Sequence, residues 1–357
     1  MDVLIIASLL AIFLTCLASS DRIKRGLEIA FIILAFIYAI RYNFGTDYWN
    51  YYAKFIEAQK YNSLKQCFWH SEFGWYILNY LFKSTTFDCF SAFIGILINI
   101  IVYRFIKINV PKKWWTFSVF IYVFNPSLYV LSFSMMRQSF AMALFLFSWE
   151  YIKDRKILYA LTIIFLAVSV HSSSAILLPF VFWGCLPKNN VKILAFSYIG
   201  AFVLFMTNIA LMRDIIENFM LMDLFSEYAI EHGNREGSTN YGLGFLVMSI
   251  PFFMTIWLLL KKRFKTYEIL LVLLASLGTV LLPFGQVINL VIRLSLYFTI
   301  FTIASIPIVY SKVQKKYIKY LLILSYIVVL SYSYLEFFDS GSVYYTMYNE
   351  YHTVFNK

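Results

Sequence analysis

Apolar runs of about 20 residues recur along this whole chain, and that is the length an α-helix needs to cross the hydrocarbon core of a bilayer. Backbone amides in hydrocarbon must find their partners inside the same segment, which a helix allows. With 14% charged residues, the chain lies far below the ~25% of ordinary soluble domains. The pattern predicts an all-α, polytopic integral membrane protein. A net charge of +11 could suggest nucleic acid, but Lys and Arg sit in short clusters between apolar runs and form no single basic face.

Those clusters set the layout. Six alternate connections (21–25, 104–113, 153–156, 188–192, 261–265, 312–319) hold 20 of the 30 Lys and Arg, as cytoplasmic loops do. About 12 transmembrane helices with both termini outside satisfy this distribution: near 3–19, 27–40, 90–106, 114–132, 138–152, two short spans within 157–186, then 192–211, 241–260, 267–283, 287–309 and 320–337. KDRK (153–156) and PKNNVK (187–192) both read as cytoplasmic, so the two short spans between them meet outside, near His171. Asn125-Pro126 breaks the long run 114–150, whose connection dips into the outer boundary. The outer loops are 41–89 and the acidic 213–240, with a tight turn at Pro283-Phe-Gly285. Phe73 to Phe82 suits a short interfacial helix. Residues 2–19 lack the basic start and cleavage site of a signal peptide, so a retained first span is expected. No repeat or linker is visible, and 1–357 is expected to be a single transmembrane domain. Cys67 and Cys89 share one outer segment, where a bridge is possible.

Ionisable residues at membrane depth cost roughly 2.5–3.5 kcal/mol each on insertion scales, so they mark function by default. The layout brings several to one outer surface. Arg41 and Asp47 leave the second span within RYNFGTDYWNYY (41–52), Arg137 sits between the fourth and fifth, and His171 separates the two short spans. Arg293 lies about six residues inside the eleventh, roughly 9 Å deep at helical rise. No acidic residue lies within a helical turn of it in sequence, so it needs a distant partner or a bound anion. Interfacial arginines that snorkel and a histidine that bonds a carbonyl are the bland readings of the others. Arginines and a histidine around a cavity suit an anionic phosphate group, because guanidinium forks bind phosphate oxygens bidentately. D-x-D, H-E-x-x-H, C-x-x-C and P-loop patterns do not occur, so no metal or cofactor is expected.

At these residues the chain resembles the EpsG-type family of Wzy-like bacterial polysaccharide polymerases. The matching elements are R-x3-GTDY-x3-Y (Arg41 to Tyr52), Glu72-Phe-Gly74, RQ-x2-A (Arg137 to Ala141), His171-Ser172 and R-x3-Y (Arg293 to Tyr297). They run over roughly residues 30–300. The resemblance implies a GT-C-like glycosyltransferase architecture with short re-entrant or interfacial helices on the outer side. It implies transfer of undecaprenyl-diphosphate-linked oligosaccharide repeat units, for O-antigen, capsule or exopolysaccharide, at the outer face of the bacterial cytoplasmic membrane. The expected partners are that lipid-linked donor, the bilayer, a chain-length regulator and a flippase. Arg137, Arg293 and Arg41 would hold the departing diphosphate. The general base would be His171, whose residue type titrates nearest neutral pH, with Asp47 or Glu72 as rivals. Gly45, Thr46, Tyr48, Tyr52, Gln138 and Tyr297 would contact substrate. A transporter or flippase of anionic glycans, a polysaccharide ligase and a scaffold are the competing readings. Clustering of the polar set at one surface, with no inverted repeat, favours the enzyme.

Overall fold

Helices carry the apolar runs, and wherever the sequence places a breaker the helix stops. The computed structural model describes residues 2–185, 191–207, 243–283, 289–342, 344–348 and 350–356. The loop 213–240 lies outside these residues, as do most of PKNNVK and most of the Pro283-Phe-Gly285 turn. Four helices are by themselves long and apolar enough to cross a membrane: Asp2–Ser19, Phe87–Asn109, Leu243–Leu260 and Lys316–Phe337. A pair bent by 55°, Val291–Thr299 and Thr302–Ser311, makes a fifth. Several other runs form apolar helices of 10–17 residues. Ile6, Phe13, Ile32, Phe36, Phe165 and Tyr332 are each more than half exposed, a face that suits lipid and not water. The protein is an α-helical membrane protein, in which four or five helices among the described residues reach full crossing length against an expected twelve.

The chain divides into two compact units, residues 1–184 with 330–357, and residues 185–329. In the first, α1 (Asp2–Ser19) packs on α2 (Gly26–Ala39) and α6 (Trp115–Phe124). Helix α2 packs on α5 (Phe87–Asn109), α5 on α7 (Met136–Lys153), and α7 on α8 (Ile157–Val170). The expected outer loop 41–89 is folded, with α3 (Tyr48–Gln59) against α4 (Phe73–Leu81), and α4 against α8. After α8 comes a 3-10 helix, Ser172–Cys185, that contains Pro179. The fold is not purely helical: β1 (Arg41–Tyr42) pairs antiparallel with β2 (His352–Thr353) near the C-terminus. All four cysteines are free, with Cys67 buried and Cys89 exposed, so the possible bridge is not formed. In the second unit, the helix Thr266–Leu281 packs on Asn289–Thr299 and Thr302–Ser311. Glu268 there pairs with Lys312 at 2.8 Å.

Close approach of α2 and α5 depends on Gly95, where a Cβ would lie 1.9 Å from the Tyr38 ring. Tyr38 cannot yield easily, since it stacks on Phe133 at 4.5 Å and its hydroxyl donates to Ser132 O at 2.8 Å. Gly95→Leu should therefore cost about 1–3 kcal/mol through overpacking, read as a lower melting temperature of the solubilised protein. Gly200→Ala, where a Cβ meets nothing within 4 Å, should be neutral or slightly stabilising. Equal melting temperatures for the two variants would contradict this packing.

Candidate active site

Irregular backbone inside an apolar protein must find partners from elsewhere in the chain. Helix α6 stops at Phe124, before Asn125-Pro126, and α7 begins only at Met136. The turns between them bury Leu128, Tyr129, Val130 and Phe133. Side chains from the neighbouring segment take their carbonyls: Tyr38 bonds Ser132 O, and Arg41 donates to Phe133 O. Arg41 also donates to Phe44 O at 3.3 Å and to Ser91 Oγ at 3.1 Å through both Nε and Nη2. Its guanidinium lies 4.7 Å from the Tyr38 ring centre. Arg41 is 1% exposed, and among the described residues no carboxylate lies within ion-pair distance of it. Arg41, expected to grip a diphosphate, here spends its donors on Phe44, Ser91 and the segment that leads into α7.

Helix α7 carries Arg137 in its first turn, and two other segments bring it partners. Glu72 occupies the N-cap of α4, while α8 ends at Val170 and His171 turns extended, with φ −149° and ψ 111°. Helix α4 packs so tightly on the end of α8 that a Cβ on Gly74 would lie 2.2 Å from Ser169 Oγ. Only glycine fits there, and the closeness places Glu72 beside His171. Glu72 Oε1 accepts from His171 Nδ1 at 2.7 Å and from the Ser172 amide at 3.0 Å, while Oε2 accepts from Arg137 Nη1. Burial pushes the Glu72 carboxyl upward, but the hydrogen bond and charge of His171, the charge of Arg137 and the Ser172 amide outweigh it and hold it down at about 2. An ionised carboxylate only accepts, so Nδ1 of His171 carries the proton and Nε2 keeps a lone pair when the ring is neutral. Among the described residues Nε2 has no hydrogen-bond partner. Arg137 lies 5.7 Å from the Tyr51 ring centre, and its Nε is buried without a partner.

The remaining expected residues divide. Gly45 takes φ +103°, and a Cβ there would lie 2.8 Å from Ser134 Oγ. Thr46 donates its amide to Ser134 Oγ at 2.6 Å. Asp47 is half-buried at the head of α3, and Tyr52 is exposed beside Trp49 and Phe87. Tyr48 is 2% exposed with its hydroxyl on Asp88 Oδ1 at 3.2 Å, and Gln138 is 4% exposed, so both side chains are packed inside the protein. Arg293 and Tyr297 belong to the second unit, where Arg293 is exposed and Tyr297 fully buried. Tyr51, Ser134 and the Ser172 amide are additions that sequence reasoning missed. Tyr51 stands one position from the motif tyrosine Tyr52, and only burial tells them apart. Nothing in the sequence marks Ser134.

Glu72 has a folded pKa of about 2 against an ordinary 4.5, so its stabilisation is full above the ordinary value and is lost as pH falls through about 2. Glu72→Gln should destabilise the protein by something on the order of 3 kcal/mol at neutral pH. The gap in melting temperature between variant and wild type should narrow below pH ~4.5 and close near pH 2. A gap independent of pH would refute the charge-paired state.

No curated protein and no solved structure matches the chain. A family model described as the EpsG family matches residues 27–352, which takes in Glu72, Arg137, His171, Arg293 and strand β2 to His352. The chain belongs to the EpsG family.

Proposed function

We propose that this protein is a polysaccharide polymerase that transfers oligosaccharide repeat units from a polyprenyl-diphosphate carrier onto an acceptor glycan, at the outer face of the cytoplasmic membrane. Membership of the EpsG family supports a polymerase of polysaccharide synthesis in general. The observation that carries the finer reading is one carboxylate, Glu72, that holds a histidine on one oxygen and an arginine on the other. The histidine is thereby oriented with Nε2 unbonded, as a general base requires.

In this reading the acceptor hydroxyl gives its proton to His171 Nε2 as its oxygen bonds to the anomeric carbon. The bond from that carbon to the diphosphate oxygen breaks, and its electron pair leaves with the lipid diphosphate. Glu72 stabilises the imidazolium that forms and is not itself the base, because a carboxylate held at about 2 accepts a proton poorly at neutral pH. Arg137 meets the charge on the leaving group; its side chain keeps 23% of its surface open, and a guanidinium binds phosphate oxygens well. Guanidinium takes the part that a divalent cation plays in other diphosphate chemistry. Arg293, exposed on its own helix, keeps its expected anion-binding part as a separate proposal. The 55° bend at 299–302 is a broken helix of the kind a transporter would share. A buried Glu–His–Arg cluster with a free ring nitrogen has no need in simple translocation.

His171→Asn should lower turnover by roughly 10²–10⁴-fold while the protein stays inserted and the lipid-linked donor still binds. Cells carrying it should accumulate single lipid-linked repeat units in place of polymer. Arg137→Ala should do the same. Normal polymer from either variant would sink the assignment.

A further inference from the structure

After the helix Lys316–Phe337, Met347, Tyr348, Tyr351, His352 and Val354 lie against the segment Ile37 to Gly45, and the contacts are specific. Strand β2 pairs with β1, with Tyr42 opposite His352. The Val354 amide donates to Ile40 O at 2.9 Å, the Gly45 amide to Met347 O at 3.3 Å, and the Tyr351 hydroxyl to Ile37 O. The Phe44 ring meets Tyr348 and Tyr351 edge-on, at 5.0 and 5.1 Å. At the centre Tyr348, fully buried, donates its hydroxyl to Ser134 Oγ at 2.5 Å.

Ser134 is the point where this strap touches the chemistry. Its hydroxyl already accepts the Thr46 amide, and it lies 3.0 Å from Thr46 Oγ1. A serine oxygen has two lone pairs and one proton, so Tyr348, the Thr46 amide and the Thr46 hydroxyl use all three. Ser134 O in turn accepts the amide of Met136, the residue before Arg137. The strap therefore holds the Gly45-Thr46 turn through the Ser134 side chain and the head of α7 through the carbonyl of the same residue.

We propose that Tyr348 is a positioning residue of the active site, acting through Ser134 to hold Thr46 and Arg137 in the geometry that turnover needs. The inference rests on the polymerase reading above. Tyr348 touches no reacting atom; its part is to remove the freedom of the segment that carries the arginine. The strap stays closed while the enzyme works.

The test uses the full-length protein in vesicles, supplied with native lipid-linked repeat units extracted from cells that lack the polymerase. Tyr348→Phe keeps the ring contacts with Phe44 and Phe337 and removes only the hydroxyl. It should lower kcat about tenfold per folded protein, with little change in KM for the donor. On a Ser134→Ala background the same Tyr348→Phe change should cost little more, since the hydroxyl then has no partner through which to act. A wild-type kcat, or a loss that merely follows the amount of folded protein, overturns the proposal. The paired variant Tyr42→Cys with His352→Cys should form a disulfide across the strand pair and keep turnover. Activity lost on oxidation and restored by reductant would show a strap that must open, which also overturns it. Arg137→Ala in the same assay separates the two levels. If that variant turns over normally, the polymerase reading has failed and takes this inference with it, whereas an inactive Arg137→Ala beside a normal Tyr348→Phe rejects the strap alone.

Discussion

The Glu72 carboxylate is the constraint on which the first unit depends. A lone charge taken out of water costs several kcal/mol, and Glu72 is nearly buried in an apolar protein. It is tolerated because three groups from different parts of the chain complete it: His171, Arg137 and the Ser172 amide. The same requirement works in reverse. Arg137 and His171 stand where they do because a fixed anion holds the head of α7 and the end of α8 together. A site whose charge is balanced before substrate arrives is a preorganised one.

Around that carboxylate the irregular backbone is held by buried polar side chains. Arg41 is the main case. Its guanidinium faces carbonyls and a serine hydroxyl, with an aromatic ring packed against it, and so satisfies the turns that connect α6 to α7. Tyr38 does the same for Ser132 O. Behind both lies Gly95, whose missing side chain lets Tyr38 sit against α5. The chain of dependence runs from a helix-packing glycine, through the buried Arg41, to the arginine that pairs with Glu72.

Much of this was legible where local chemistry decides the structure. The helix breaks at Asn125-Pro126 and at His171, the positive φ of Gly45 and the helix start at Glu72-Phe-Gly74 all follow from residue type and spacing. What was not legible depends on partners far away in the chain. The burial of Arg41 follows from carbonyls about ninety residues later, and Tyr348 finds its serine across 214 positions. Nor does residue type separate Glu72 as a base from Glu72 as an orienting anion. The three donors around the carboxyl, which hold it below its ordinary range, come from distant segments. The shorter helices have a similar origin: hydropathy counts apolar residues and cannot see where buried turns interrupt a crossing.

The most direct test of the account is a double-mutant cycle between Glu72 and His171, measured on turnover per folded protein. If the carboxylate acts only by orienting and stabilising the imidazole, Glu72→Gln should lose little further activity once His171→Asn is in place, and the two losses should be strongly non-additive. Full additivity of the two losses would mean that the residues act independently, and the central claim would fall.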